Sequence, residues 1–299
     1  MMKLLTLLAM ATLLLLTACE CDFDLDEKSG YEPEDFWTDG YCRQTTVKTP
    51  ASGAKVIEAR LDDKGWEQYE LAGFPPAFIE WNMASRMKML KGMKDMFAAM
   101  TRGEETDYAG PELVGAHSGM IATWGFRRDD AVFSLNNAVK GMGFLPRHDK
   151  IKEVIAHLEA TMELPIHKKI DELISMYEKA DSIFAMDKQV SLELYANPEF
   201  VTQTFLNQMV YPASSVVFLD IPSYKLKTIA RLIDSNDPEL SDYEKDVTKY
   251  INLMHSYFHG KFSKEFIAVV YYTLQVFDNS PRGKDPTTGM GQRMVPLLP

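Results

Sequence analysis

The sequence predicts an all-α, bundle-like domain, and three observations carry that reading. Apolar residues recur at helical spacing over most of residues 76–100, 149–184 and 241–259. Residues with helix-cap chemistry stand at the ends of several of these stripes. Only residues 215–221 and 265–277 have the β-branched and aromatic composition of strands, so the alternative is α+β with a small sheet in those two places.

Pro75-Pro76 opens the first long helix, over residues 76–100. Met83, Met87, Leu90, Phe97 and Met100 recur at three-, four- and seven-residue spacings, and Met89, Met93 and Met96 widen the stripe. Arg86, Lys88, Lys91 and Lys94 fall on the other side. Core packing is the common use of such a methionine-rich face; adhesion to a membrane or an adaptable partner is the other. Residues 101–147 carry seven glycines and read as a loop layer or several short helices, a place where functional residues collect.

From Asp149 the helical signal is clearest. Ile151, Val154, Ile155, Leu158 and Met162 form one stripe; beyond Pro165, Ile166, Ile170, Leu173, Ile174, Tyr177, Ala180 and Phe184 form the next. Asn197-Pro198 places an N-cap residue before proline and predicts a helix to about Val210. Pro222 opens another through Arg231. Ser241 caps a helix carrying Tyr243, Val247, Tyr250, Ile251, Met254 and Phe258, with Gly260 placed to end it. Val216-Val217-Phe218-Leu219 reads as a short buried strand. Phe266 to Phe277 is apolar on all sides, a pattern shared by buried helices and buried strands. Ser263 as N-cap ahead of Glu265 favours helix.

The N-terminus carries a separate signal. After Lys3, residues 4–16 form an apolar run of thirteen residues, eight of them leucine, followed by Thr17-Ala18-Cys19. A span needs about 20 apolar residues, so this run is too short to cross a bilayer and fits an export signal. Leu16-Thr17-Ala18-Cys19 resembles the bacterial lipobox, a resemblance confined to the first nineteen residues. It implies diacylglyceryl attachment to the Cys19 thiol, cleavage after Ala18 and usually acylation, with palmitate or a similar chain, of the new N-terminus. It further implies the envelope of a Gram-negative bacterium. Glu20, rather than aspartate, follows the lipidated cysteine, which points to the outer membrane. The expected organisation is a signal peptide over residues 1–18, a disulfide-containing acidic tether over 19–55 with order beginning near Val56, and one mainly helical domain over 56–299.

Charge and cysteines agree with export. The formal net charge is −11, yet residues 20–40 hold nine acids against Lys28 alone, so residues 41–299 sum to only −4. The acidic stretch reads either as a solvated spacer or as a surface-sorting signal. No basic field for nucleic acid remains. Of the three cysteines, lipidation consumes Cys19 and leaves Cys21 and Cys42 as an even pair, expected as a disulfide in an oxidising compartment.

Catalytic motifs fail on inspection. His255 and His259 lie four apart on a helix, a spacing that suits one metal ion, but Ser256 stands where a zincin has its glutamate and two ligands do not complete a site. Gly115-Ala116-His117-Ser118-Gly119 puts serine one place too late for a nucleophile elbow. Gly141-Met142-Gly143 lacks the third glycine of a dinucleotide fingerprint. Glu153/His157 and Glu163/His167 have the separation of ordinary helix-surface pairs. No cofactor is expected. The reading is therefore a membrane-anchored binding or assembly module with a protein partner; the alternatives are an immunity or inhibitor lipoprotein and an enzyme with dispersed site residues. A deep pocket with shifted pKa values would mark the enzyme, and a flat apolar patch the others.

Overall fold

The computed structural model describes residues 31–61, 65–104, 114–282 and 289–296. The signal segment, Cys19, Cys21 and the acidic run before Tyr31 lie outside the described residues.

The all-α expectation is overturned. The described chain is dominated by an eight-stranded antiparallel sheet. It contains β6 (Ser118–Thr123), β7 (Asn136–Gly141), β8 (Gly143–Pro146), β9 (Phe184–Glu193), β10 (Ala213–Phe218), β11 (Tyr224–Ile233) and β12 (Ile267–Asp278), with β13 (Gln292–Val295) beside the end of β12. The order is β7-β6-β10-β11-β12-β9-β8. Residues 215–221 and 265–277 thus contribute strands to a large sheet rather than a small one. The physical reason is clearest in β12. Ile267 through Tyr272 is at most 5% exposed, so both faces of the strand are buried and the two-residue alternation disappears. The stretch after Pro222, expected as a helix, is β11, another strand with little exposure in its second half.

Six α-helices accompany the sheet among the described residues. They are α1 (Pro76–Thr101), α2 (Ile151–Thr161), α3 (Ile166–Glu178), α4 (Ala180–Ile183), α5 (Gln203–Val210) and α6 (Asp242–His259). The apolar stripe through residues 166–184 breaks at Lys179, and Phe184 opens β9. Asn197 does not cap a helix; its Oδ1 accepts from the Glu199 and Phe200 amides in a tight turn, and Thr202 caps α5 instead. At α6 the Ser241–Glu244 capping box and Gly260, at φ 86°, set the two ends.

One topological constraint positions the site. β7 and β8 stand at opposite ends of the sheet, yet only Met142 separates them in the chain. The sheet must therefore curl until its two edges meet. α1 lies inside the curl: Phe78 packs against Phe218 and Tyr224 on β10 and β11, and Phe74, just before the helix, against Phe144 on β8. Gly119 makes the closure possible. A Cβ there would lie 2.7 Å from Met142 Cγ and 3.0 Å from Val216 Cγ1.

The folded body also begins earlier than Val56. β1 (Trp37–Thr38), β2 (Tyr41–Cys42) and β3 (Val47–Lys48) precede it, and β3 joins β4 (Val56–Ala59) and β5 (Glu67–Glu70) in a three-stranded sheet. Residues 42–47, expected in the tether, are largely buried. Gln44 Nε2 donates to the Gln208 carbonyl at 2.9 Å and Thr46 Oγ1 to the Met209 carbonyl at 3.2 Å, taking up acceptors that the end of α5 would leave orphaned. Cys42 is buried and has no disulfide partner among the described residues, Cys21 lying outside them; burial, with Asp234 beside it, pushes its thiol pKa well up.

A buried ion pair clamps this N-terminal segment to α6. Arg231 Nη2 donates to Glu244 Oε1 at 2.8 Å, and Thr49 Oγ1 donates to the same oxygen at 2.6 Å. Burial alone raises the Glu244 pKa, but hydrogen bonds from Thr49, Arg231 and Ser241 outweigh it and bring it down to about 2. Because the folded pKa lies below the unfolded one, this stabilisation is present above about pH 4.5 and is lost as pH falls towards 2. Glu244→Gln should lower stability at pH 7 by about 3 kcal/mol, since it leaves Arg231 buried without a counter-charge. Denaturant titrations at pH 7 and pH 3 should show the gap between wild type and variant shrinking in acid; a gap that stays constant contradicts the role given to Glu244.

Candidate functional site

A cavity of about 510 Å³ lies where the curled sheet fails to close. β8 pairs with β9 only as far as Gly143↔Val190, so Ser191 to Glu193 have no strand on that side among the described residues. β7 passes across this gap without pairing to β9. A single ion pair of side chains, Lys140 with Glu193, spans it, and Thr202 Oγ1 also donates to Glu193 at 3.3 Å. α1 forms the floor through Arg86, Met89 and Leu90, and α6 forms a wall through Tyr250, Met254 and Phe258. Most of the lining is apolar.

Arg86 is one of its few charged side chains. It is 2% exposed, and its guanidinium is held in place by Nε to Asn82 Oδ1 at 2.8 Å and by Nη2 to the carbonyls of Ala116 and Met142 at 2.9 and 2.8 Å. The Phe144 and Tyr177 rings flank it, with centroids 5.2 and 5.7 Å from Cζ. Among the described residues no carboxylate pairs with it, and Nη1 makes no hydrogen bond. Lys140 and Glu193, which also line the cavity, pair with each other. A buried cation is thus left without a counter-charge beside an open space, an arrangement that is costly unless a charge from outside completes it.

Three imidazoles share the cavity. His255 and His259 both line it, their ring centroids 4.7 Å apart, and His255 stacks on Phe262 at 4.8 Å. His117 lines it from the start of β6. Burial first, then the Arg86 charge and His259, lower the His117 pKa to about 4. Burial and His259 also lower that of His255. Among the described residues no three His, Cys, Asp or Glu side chains come close enough to hold a metal ion. No hydrogen bond there joins these three imidazoles to a hydroxyl, thiol or carboxylate. His157, in contrast, pairs with Glu172 at 2.9 Å and ties α2 to α3.

The sequence placed His255 and His259 together but did not connect them with His117, which lies 138 residues earlier and is brought in by the β6 start. It also misplaced Arg86 on a solvated basic face. The buried stripe of α1 runs Phe78-Asn82-Arg86-Leu90 at a strict four-residue step, and Met100, expected within it, is 60% exposed. The signal was the alignment of two polar residues with Phe78 and Leu90; methionines on every side of the helix obscured it.

Comparison with known proteins gives no match: no family model, no curated protein and no solved structure is similar to this chain.

The depressed pKa of His117 has a stability consequence. Its folded value, about 4, lies below the 6.5 of a free imidazole, so the unfolded chain takes up the proton first as pH falls, and stability declines from pH 6.5 towards 4. His117→Asn should remove this share. Urea titrations at pH 7 and pH 5 should give a smaller loss for the variant than for wild type, and equal losses would show that His117 is not held neutral by the fold.

Proposed function

We propose that the protein is a lipid-anchored lipoprotein of the bacterial envelope whose curled sheet binds a small organic anion with an apolar body. The single observation that carries this reading is the Arg86 guanidinium, buried on the floor of a largely apolar cavity with no counter-charge among the described residues. The volume of about 510 Å³ falls within the range of small-molecule sites, roughly 300–1,000 Å³. A carboxylate, phosphate or sulfonate on Nη1 would neutralise the cation. Met89, Leu90, Val139, Met254 and Phe258 would surround the apolar part, with the methionines adapting to its shape. The lipobox-like start supports the anchor and the outer-membrane location.

Shifted imidazoles in a cavity are also a mark of enzymes. Here, however, among the described residues none is hydrogen-bonded to a group it would activate, and the arrangement supports holding a ligand rather than transforming it. A protein partner then stands as the recipient or donor of that ligand, not as the occupant of the cavity.

A matched pair of probes tests the reading: naphthalene-1-sulfonate and its uncharged analogue naphthalene-1-sulfonamide, titrated calorimetrically. A hydrogen bond to a charged group contributes about 1.5–3 kcal/mol, so Arg86→Gln should weaken sulfonate binding by roughly ten- to a hundredfold. It should weaken the sulfonamide much less, since that probe loses only what the seam hydrogen bonds of Arg86 contribute to the shape of the cavity. Ala138→Trp, which adds bulk to the cavity lining, should weaken both. Sulfonate binding that survives Arg86→Gln intact would overturn the proposal.

A further inference from the structure

The end of the molecule around the cavity mouth carries an unusual set of exposed apolar side chains. Val132, Phe133 and Leu135 are 79%, 68% and 67% exposed on the connection between β6 and β7, which contains no helix or strand. Phe200, on the segment leading to α5, is 55% exposed. The two segments are held as one surface: Arg128 Nη1 donates to the Val201 carbonyl at 2.8 Å, Asn207 Nδ2 to the Ser134 carbonyl at 2.7 Å, and Asn136 Nδ2 to Thr204 Oγ1 at 2.9 Å. This surface continues to the cavity, whose lining includes Val139 and Tyr195, themselves half or more exposed, together with Thr202 and Thr204. Water-facing aromatic and aliphatic residues in this density mark a contact surface rather than ordinary scatter.

Where the chain enters the fold says what that surface meets. Tyr31, the first described residue, lines a groove with Phe126, Arg128 and Phe200 at this same end. Eleven residues separate it from Cys19, a reach of at most about 40 Å when fully extended. We infer that the connection between β6 and β7, with Phe200 beside it, inserts into the bilayer that holds the anchor and turns the cavity mouth towards the lipid. The inference rests on the lipid anchor proposed above. It deepens the cavity reading as well, because a mouth facing lipid receives an amphiphile, with its acidic head on Arg86 and its chain along the apolar wall. The acidic residues at positions 20–35 repel anionic headgroups, so apolar insertion, not charge, supplies the attraction. A projecting turn suits a bilayer better than a protein groove, since each side chain enters the acyl region without a shaped pocket to receive it.

The test uses the full lipidated chain reconstituted into phosphatidylcholine vesicles, with or without brominated acyl chains that quench tryptophan on contact. Phe133→Trp places a reporter on the surface. Ile221→Trp places one that is 80% exposed on the turn between β10 and β11, at the other end of the sheet, where β6 begins. Brominated lipid should quench the added emission of Phe133→Trp at least twofold more than that of Ile221→Trp. Equal quenching, or none at either position, in protein that floats with the vesicles overturns the docking and leaves the anchor standing. Protein that does not float overturns both. Naphthalene-1-sulfonate binding by the same samples reports separately on the cavity.

Discussion

The fold turns on the hydrogen bonds that Arg86 makes to two backbone carbonyls. One belongs to Ala116, two residues before β6 begins, and the other to Met142, the single residue between β7 and β8. These are the points at which the curled sheet starts and at which its two edges are joined. By bonding to both, one guanidinium fixes the inner helix against the seam of the sheet. Each such bond to a charged group is worth about 1.5–3 kcal/mol, enough to hold the seam in one register. Among the described residues no carboxylate neutralises the same group. Carbonyls supply partial charges only, and Asn82 supplies an amide oxygen. The structural role and the proposed binding role are thus two consequences of burying one arginine.

The seam also explains why a cavity exists at all. A sheet of this size whose edges paired fully would be a closed barrel with its interior filled by side chains. Here β8 is four residues long, too short to cover β9, and β7 departs before it reaches β9. Side chains replace the missing ladder: the Lys140–Glu193 ion pair across the gap and the α6 wall beside it. On the other side of the molecule the N-terminal residues close the structure by different means. Gln44, Thr46 and Thr49 satisfy α5 carbonyls and the Arg231–Glu244 pair. What reads as a tether is, from β1 onward, part of the body.

The sequence allowed several helices to be read and concealed the sheet, for one physical reason. α1, α2, α3 and α6 each expose one face, and their 3.6-residue periodicity is visible in α2, α3 and α6 as stripes of Ile, Leu and Val. The central strands expose neither face. In β12 and the second half of β11 the alternation that announces a strand is absent, and an all-apolar run defaults to helix when a serine stands near its start. β6 to β8 fall in the glycine-rich stretch that reads as loops. Those glycines are needed where strands cross closely, as at Gly119 against Met142 and Val216. The site was legible only in its α6 half, His255 and His259. His117 and Arg86 reach it through long-range contacts that no local pattern records, and the charge of Arg86 gave the impression of a surface residue because arginine is so rarely buried unpaired.

The central claim is that the Arg86 guanidinium receives an anion, and its own nuclear resonance reports this most directly. In protein labelled with nitrogen-15 at arginine, the Arg86 side-chain signal is identified by its loss in Arg86→Lys. Naphthalene-1-sulfonate should move that signal while leaving those of Arg43 and Arg231, which are already paired with carboxylates, in place. Naphthalene-1-sulfonamide should not move it. A sulfonate that binds in the cavity while the Arg86 signal stays fixed would contradict the account.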